Sequence, residues 1–343
     1  MPPKIAVIVG ITGIQGGSVA TQLLKNPSYK IRGLTRDPSK PAAQSWTARG
    51  VELVRGDLDD VDSLKAAFAG ASAIFGVTNF YETLQQKEYQ LKAQQEGVDI
   101  VAIACALEEQ RGKNIAIAAA AVPELEHYVW STLSEASVLS KGKYTHVYHF
   151  DSKGRVDRYI KEAPEMAELR GKTSFVQMGC YLDNWKMGVL YKAIMKDEVS
   201  GGYYHADVGD GNRKVPFLEP RKDAGVIVEA ILNTDPGKTW QGYSEKASWK
   251  EFMTIWAKML GVELHSEGCK ALTWDDVFNM VPIESMKVPI ADAICYLAEF
   301  GYDGNDSNVI PIEKVSFRYP CDKNWKKGSL WPKTNYYAAG DRE

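Results

Sequence analysis

Residues 7–17 read VIVGITGIQGG, an apolar run that breaks into glycines with the spacing G-x-x-G-x-x-G. The apolar residues 5–9 are typical of a buried strand, and residues 18–24 place apolar side chains at the spacing of a helix. The glycines therefore lie between a strand and a helix. That setting is the outline of a dinucleotide-binding turn, because the helix start offers free amides and a partial positive charge to a pyrophosphate.

Each glycine of this turn has its own expected role. Gly10 permits a tight turn, Gly13 lets the backbone approach the pyrophosphate, and Gly16 lets the helix pack closely on the strand. Thr12 and Gln15 stand among them and complete the predicted cofactor contacts of the turn. The alternative is an ordinary glycine-rich turn that binds nothing.

The end of the second predicted strand indicates which nucleotide binds. Residues 31–35 lead to Arg36, twenty residues beyond Gly16, where NAD-binding proteins place an acidic residue on the ribose. An arginine suits a 2′-phosphate, so the sequence favours NADP(H), with Lys40 as a second contact. In the alternative interpretation Arg36 is a solvated residue and Asp37 binds the ribose.

The composition indicates a globular chain without the charge pattern of a nucleic-acid-binding protein. Its 343 residues are 45% hydrophobic, and the formal net charge is −3 with lysines and acids interspersed. Direct nucleic-acid binding is therefore not expected. The five cysteines lack CxxC spacing, which favours free buried thiols over a metal site. We find neither a leader sequence nor a membrane span, so the cytoplasm is the expected compartment.

The first half of the chain alternates strand and helix signals. Further strands are predicted at 51–54, 73–77, 128–130 and 173–178. This alternation is typical of the α/β class with a doubly wound parallel sheet, in which the carboxyl ends of the strands form the ligand crevice. After residue 185 the regular alternation stops.

Polar and aromatic residues follow the predicted strands, and we expect them to line the crevice. Asp57 and Leu58 are expected near the adenine of the cofactor. The residues expected beside the ribose and nicotinamide are Thr78, Asn79 and Phe80. Those expected to face a substrate are Tyr81, Tyr181, Asn184 and Trp185, although an aromatic residue after a strand is more often part of the core.

Taken together, these motifs resemble the NmrA-like proteins, atypical members of the short-chain dehydrogenase/reductase superfamily. The resemblance covers most of the chain and lies in residues 10–17, 35–38, 56–60, 77–81, 112–115, 129–131 and 149–154. It implies a Rossmann domain that prefers NADP(H) and a smaller, mostly helical C-terminal lobe that closes over a cleft. We expect the Rossmann domain at 1–178, with a return segment near 208–235, and the lobe at 179–343. The resemblance also implies that Lys113 reaches the cleft rather than solvent.

A histidine stands where ordinary short-chain dehydrogenases place their catalytic tyrosine. Those enzymes use a tyrosine four residues before a lysine that lowers the tyrosine pKa. Here Lys153 is preceded at that distance by His149. Lys153 would hold the nicotinamide ribose, or exchange the proton itself, or leave that role to His149, whose unperturbed pKa is about 6.5. Ser131, at a strand end, completes the candidate catalytic set. Nearby residues that would substitute as proton donors, or be plain loop residues, are Tyr144, His146 and Tyr148.

Between Tyr81 and Gln110 the chain runs longer than the family usually shows. One explanation is a helix extension that buries its apolar face on the body or on a second subunit. The other is a lid over the nicotinamide cleft.

Two classes of function fit this sequence. The first is an NADP(H)-dependent enzyme acting on a small apolar or aromatic organic substrate, by hydride transfer or by a cofactor-assisted isomerisation without net redox change. The second is an NADP(H)-sensing negative regulator that binds a transcription factor or other protein partner, as the best-known NmrA-like proteins are thought to do. The aromatic residues at the strand ends favour the enzyme. Neither class requires a metal.

Overall fold

The computed structural model describes residues 2–184 and 193–315. The strands of this part of the chain are β1 (Lys4–Ile8), β2 (Tyr29–Thr35), β3 (Glu52–Arg55), β4 (Ala73–Gly76), β5 (His127–Thr132), β6 (Thr173–Met178), β7 (Cys180–Tyr181), β8 (Ile194–Lys196), β9 (Tyr203–Asp207), β10 (Lys214–Leu218), β11 (Thr239–Gly242), β12 (Glu245–Ser248), β13 (Leu264–Ala271) and β14 (Val309–Pro311). The helices are α1 (Ile14–Leu23), α2 (Pro41–Thr47), α3 (Val61–Phe68), α4 (Phe80–Leu84), α5 (Lys87–Glu96), α6 (Ile100–Ala120), α7 (Ala136–Leu139), α8 (Tyr148–Glu162), α9 (Ala167–Gly171), α10 (Pro220–Leu232), α11 (Trp249–Leu260), α12 (Trp274–Met280) and α13 (Lys287–Phe300).

Eight strands form the large sheet in the order β14-β11-β6-β5-β4-β1-β2-β3. Every neighbouring pair in this sheet is parallel. The six strands predicted from the sequence are β1 to β6, each within two residues of its expected bounds. The prediction of a doubly wound, Rossmann-type parallel sheet is confirmed.

The alternation of apolar residues in β1 explains why helices cover both faces of the sheet. Ala6 and Ile8 join a buried cluster with α1 and α10, whereas Val7 and Val9 join one with α3, α6 and α8. Successive side chains of a strand point to opposite faces, so one apolar strand supplies both cores. The sheet is therefore buried on two sides, and the ends of its strands remain for ligands.

Helix α6 accounts for the long connection after Tyr81. Its first turns, with Val101 and Ala104, pack against residues of α12 and α13, and its later turns, with Ile115 and Ala119, pack under the sheet. The helix extension thus buries its apolar face on the body of the same chain. The preceding α5 buries Ala93 and is otherwise largely exposed.

The C-terminal part of the described chain both returns to the large sheet and builds a separate layer. Helix α10 packs on α1, where Ser18 Oγ accepts a hydrogen bond of 2.9 Å from the Gly225 amide, and β11 and β14 extend the sheet edge. Helices α11, α12 and α13 are accompanied by two three-stranded sheets, β12-β10-β7 and β13-β9-β8. The sequence did not predict these small sheets.

Candidate functional site

The glycine turn after β1 has the geometry of an anion cradle. Gly10 has a φ of +67°, which an L side chain rarely adopts, and its carbonyl accepts a hydrogen bond of 2.8 Å from the Gly13 amide. A Cβ at Gly16 would lie 2.3 Å from the Gly10 carbonyl oxygen, so α1 packs against the turn as closely as a glycine allows.

The start of α1 is open to an anion. The helix begins at Ile14 with Gly13 at its N-cap, no described side chain caps it, and its first turn carries no acidic residue. No described side chain therefore accepts from the first helical amides, and no acidic residue of the first turn offsets the partial positive charge of the helix start. Thr12 and Gly13 are exposed at this end. A pyrophosphate fits this cradle.

The expected 2′-phosphate reader, Arg36, lies at the end of β2 and is 60% exposed. Its guanidinium forms an ion pair with Glu82 of α4. Because β1 lies between β2 and β4, this pair spans the end of β1 beside the glycine turn. Lys40 is exposed at the N-cap of α2.

Asp37 has a local structural role. Its Oδ1 accepts hydrogen bonds from the Ser39 amide at 2.9 Å and the Ser39 hydroxyl at 2.6 Å. The Ser39 contacts hold the pKa of Asp37 below its usual value. The carboxylate is engaged within its own turn, which weakens the alternative that it binds the ribose.

The wall expected beside the adenine is held by α6. Asn114 Nδ2 donates a hydrogen bond of 2.8 Å to the Leu58 carbonyl. Arg111 makes bidentate hydrogen bonds of 2.8 and 2.7 Å to Asp59. The Asp57 carboxylate accepts from the Asp59 amide at 3.0 Å, so this loop is fixed by side chains that the sequence did not single out.

A hydrogen-bonded chain joins three elements at the centre of the crevice. Ser131 Oγ donates to Gln15 Oε1 at 2.7 Å, and Gln15 Nε2 donates to Tyr181 Oη at 2.7 Å. Burial raises the pKa of Tyr181. The structure thus brings together three residues that the sequence placed separately at the site.

Lys153 lies on α8 and is engaged by a residue that the sequence did not identify. Its ammonium forms an ion pair with Glu108 of α6, and Ser152 Oγ donates to the other carboxylate oxygen. The Glu108 side chain is 2% exposed and that of Lys153 is 12% exposed. Glu108 lies one helical turn before Gly112. A Cβ at Gly112 would lie 2.5 Å from Val156 of α8, so this glycine lets α6 and α8 pack closely. The glycine was therefore the sequence signal that Glu108 and Lys153 come together.

His149 lies one turn before Lys153 on the same face of α8. Burial, with a contribution from the Lys153 charge, lowers the pKa of His149 to about 3. The pKa of His149 thus lies well below the unperturbed value of about 6.5, because the apolar surroundings disfavour the charged ring. At neutral pH His149 offers a neutral hydrogen-bonding ring and not an acid.

The segment after β4 brings two aromatic rings beside His149. Tyr81 is half-buried, with its ring centroid 6.0 Å from that of His149. Phe80 is 2% exposed and packs among residues of α6 and α13, and its ring centroid also lies 6.0 Å from that of His149, so its expected cofactor contact stays a prediction. Asn79 caps α4 by accepting from the Tyr81 amide at 3.2 Å. Thr78 is buried, and its hydroxyl has no hydrogen-bond partner among the residues that the structure describes.

Two further site candidates make their contacts outside the Ser131–Gln15–Tyr181 chain. Lys113 pairs with Glu109 at 2.6 Å and lines an outer groove with Arg155 and Arg158, and its expected place in the cleft stays a prediction. Lys113 points in a different direction from Glu108, because five residues along a helix rotate a side chain by about 140°. Asn184 is exposed, with Nδ2 3.7 Å from Cys180 Sγ. Trp185 lies outside the described residues.

The cysteines outside the undescribed tail are free thiols. Burial raises the pKa of Cys105, Cys180 and Cys269 to about 12 and that of Cys295 to about 11. In residues 2–184 and 193–315 there is no group of three His, Cys, Asp or Glu side chains able to hold a metal. None of the described helices combines the length and apolarity needed to cross a membrane.

Known proteins share both the sequence pattern and this fold. Over 305 residues the chain is 28% identical to the NmrA-like family domain-containing oxidoreductase hkm9 of Aspergillus hancockii, covering 83% of this chain and 81% of that protein. The structure of NmrA, a negative transcriptional regulator, matches with a TM-score of 0.64 and 18% identity over 88% of this chain and 85% of that one. A triphenylmethane reductase of Citrobacter sp., solved with NADP(H), gives a TM-score of 0.61 at 17% identity over 96% of this chain and 97% of the reductase.

These two structural likenesses show a shared fold. The sequence model of the NmrA-like family matches residues 2–319, which is nearly the whole chain. The resemblance inferred from the motifs is thereby confirmed, and the chain belongs to the NmrA-like family.

Proposed function

We propose that this protein is an NADP(H)-dependent oxidoreductase that reduces a small apolar or aromatic organic molecule by hydride transfer. The observation that carries the proposal is the uncapped start of α1, with Arg36 on one side and the chain Ser131–Gln15–Tyr181 on the other. Its relative hkm9 is named an oxidoreductase, and the structurally similar triphenylmethane reductase was solved with NADP(H).

The residues of the crevice divide the binding of the dinucleotide among them. The amides of α1 would bind the pyrophosphate, and Arg36 would bind the 2′-phosphate in place of the Glu82 carboxylate. The buried Thr78 hydroxyl, which has no hydrogen-bond partner among the described residues, is suited to the ribose or nicotinamide end. When bound, the reduced nicotinamide supplies the hydride.

Lys153 is best suited to hold the nicotinamide ribose. An ammonium has three donors, and the ion pair with Glu108 leaves the others for sugar hydroxyls. This is the first of the three roles considered from the sequence. The neutral His149 and the rings of Tyr81 and Tyr181 would form an uncharged aromatic wall for the substrate.

The test is reduction of an aromatic acceptor at the expense of NADPH. We would incubate the full chain with NADPH and, in turn, menadione and a triphenylmethane dye, and quantify NADPH loss and reduced product together. We expect the amount of NADPH consumed to equal the amount of reduced product formed. An isomerised product without NADPH loss would instead support the non-redox alternative.

A matched pair of glycine variants ties the activity to the turn. Gly13→Val places a branched side chain in the exposed cradle, and we expect at least tenfold weaker NADPH binding. Gly171→Ala is the control, since a Cβ there meets nothing within 4 Å. Equal NADPH affinity in wild type and Gly13→Val would count against the cradle.

A second candidate is an NADP(H)-sensing negative regulator that binds a protein partner. It is favoured by the neutral His149 in the position of the usual catalytic tyrosine. Tight NADPH binding without reduction of any acceptor would shift support to this candidate.

A further inference from the structure

We propose that the Tyr181 hydroxyl donates a hydrogen bond to an oxygen of the substrate, so that the site selects aromatic ketones and quinones over hydrocarbons of the same shape. The inference rests on the proposed function and deepens it, because it names the substrate class and the residue that recognises it. The role is that of a hydrogen-bond donor, and Tyr181 transfers no proton.

The backbone of Tyr181 is fixed where the chain leaves the large sheet. One residue, Gly179, separates β6 from β7, and a Cβ there would lie 2.4 Å from the Pro216 carbonyl oxygen. The Leu182 amide donates a hydrogen bond of 3.0 Å to the Leu218 carbonyl. The chain is therefore held against β10 as soon as β6 ends, and the position of Tyr181 is well defined.

A direct contact places the Tyr181 hydroxyl beside the glycine turn. Gln15 Nε2 donates to Tyr181 Oη at 2.7 Å, and Gln15 lies in the first turn of α1, two residues after Gly13. The same amide group accepts from Ser131 Oγ at 2.7 Å, near the carboxyl end of β5. The Tyr181 hydroxyl is therefore one hydrogen bond away from the helix that we propose binds the pyrophosphate.

The strand order assigns this position to the nicotinamide side of the crevice. The glycine turn follows β1, which lies between β2, the strand that leads to Arg36, and β4, beyond which come β5 and β6. A dinucleotide with its 2′-phosphate at Arg36 and its pyrophosphate at the turn would extend its nicotinamide toward β5. Tyr181 follows β6, so it lies where a substrate would meet the nicotinamide.

A count of donors and acceptors leaves the Tyr181 proton for a ligand. Because Tyr181 Oη accepts from Gln15, its own proton points elsewhere. Among residues 2–184 and 193–315, no group accepts that proton, and the side chain is half-buried. The Ser131 hydroxyl, by contrast, uses its proton on Gln15 Oε1. The free donor of the chain is therefore on Tyr181, and a carbonyl oxygen is the acceptor that suits it.

Tyr181→Phe in the full chain loaded with NADP⁺ tests the inference, since NADP⁺ has no hydride to transfer. The probes are α-tetralone, an aromatic ketone, and tetralin, the hydrocarbon with the same ring skeleton. Loss of one hydrogen bond should weaken α-tetralone binding about fivefold, whereas tetralin binding should change less than about twofold. Calorimetric titration with each probe measures the two affinities.

Gln15→Glu tests the donor count without removing the Tyr181 hydroxyl. A carboxylate has no donor, so it would accept from both Tyr181 and Ser131, and the Tyr181 proton would no longer reach a ligand. At saturating NADP⁺ we expect a loss of α-tetralone affinity similar to that in Tyr181→Phe, with tetralin affinity again unchanged. Wild-type affinity for α-tetralone in this variant would contradict the donor count.

Tyr296→Phe is the matched control. Tyr296 Oη donates to Ser134 Oγ at 2.9 Å, so this variant removes a buried hydroxyl whose proton already has a partner. Its affinities for both probes should be those of the wild type.

Three outcomes would overturn the inference. They are equal α-tetralone affinity in wild type and Tyr181→Phe, equal losses of α-tetralone and tetralin affinity in Tyr181→Phe, and failure of the NADP⁺-loaded wild type to bind α-tetralone. Failure of the wild type to bind NADPH or NADP⁺ would instead refute the proposed function, and the role of Tyr181 would fall with it.

Discussion

The two halves of the crevice, to which we assign the adenine and the nicotinamide of the proposed cofactor, are built in different ways. The adenine half consists of backbone amides and exposed charges, with Arg36 held by Glu82 in an ion pair that solvent reaches. The nicotinamide half consists of buried side chains from distant segments, including the pair of Glu108 and Lys153 and the Ser131–Gln15 hydrogen bond. In the proposed function the first half exchanges its partner for a phosphate, whereas the side chains of the second half already contact one another.

This comparison predicts that the largest energetic effect comes from breaking the buried pair. Glu108→Ala leaves the Lys153 ammonium with little solvent, so we expect a loss of about 3–5 kcal/mol in the free energy of unfolding. Chemical denaturation measures this free energy of unfolding. Asp62→Ala, which removes the exposed partner of Lys65, should cost less than about 1 kcal/mol.

The double variant Glu108→Ala with Lys153→Ala sharpens the same point. Removing both charges should recover part of the stability, because no unpaired ammonium remains. A double variant as unstable as the sum of the two single variants would show that the pair is not coupled.

In the adenine half we expect a loss of cofactor discrimination and little change in stability. Arg36→Ala removes a charge-assisted contact to the 2′-phosphate, so NADPH affinity should fall about tenfold or more while NADH affinity stays constant. Calorimetric titration with each nucleotide measures the two affinities. Lys30→Ala, on the same strand and exposed in its pair with Glu52, is the control. An equal fall for NADH would contradict the assignment.

The nicotinamide half should also make the protein sensitive to acid. The folded pKa of His149 is about 3 and its unfolded value is 6.5, so the unfolded state binds more protons between these values. Stability therefore falls as pH drops below about 6.5, and from pH 7 to 5 this residue should contribute a loss of about 1–2 kcal/mol. His149→Gln removes that contribution. An identical pH dependence of unfolding in wild type and variant would show that His149 titrates alike in both states.

The smallest expected effect is a gain in affinity. Glu82→Gln releases Arg36 from its carboxylate, so a 2′-phosphate no longer has to displace that partner. Because the pair is exposed, NADPH binding should tighten only about twofold to fivefold, without change for NADH. Glu88→Gln makes the same charge change on α5 and should leave both affinities unchanged.

The same division explains how much the sequence predicted. The glycine turn and Arg36 could be predicted because their signals are short and local. One segment of the sequence contains the strand, the turn, the helix and the charge after β2. The large sheet followed from alternating elements of similar length. The capping of α4 by Asn79 is equally local.

The nicotinamide half was harder to predict because its partners are far apart in the chain. Glu108 meets Lys153 across 45 residues, and Ser131 meets Gln15 across 116. Phe80 and Tyr81 both place their rings 6.0 Å from the His149 ring, and the sequence did not show that both would also pack on the apolar cluster of α6 and α13. The direction of the Lys113 side chain depends on its position around the axis of α6, which the motif around Gly112 did not determine.

The most direct test of the account is calorimetric titration of the full chain with NADPH and NADH at the same salt concentration. We expect one site per chain, at which NADPH binds at least about tenfold more tightly than NADH, because Arg36 would contribute a charge-assisted contact to the 2′-phosphate. Binding of neither nucleotide, or equal affinity for both, would contradict it.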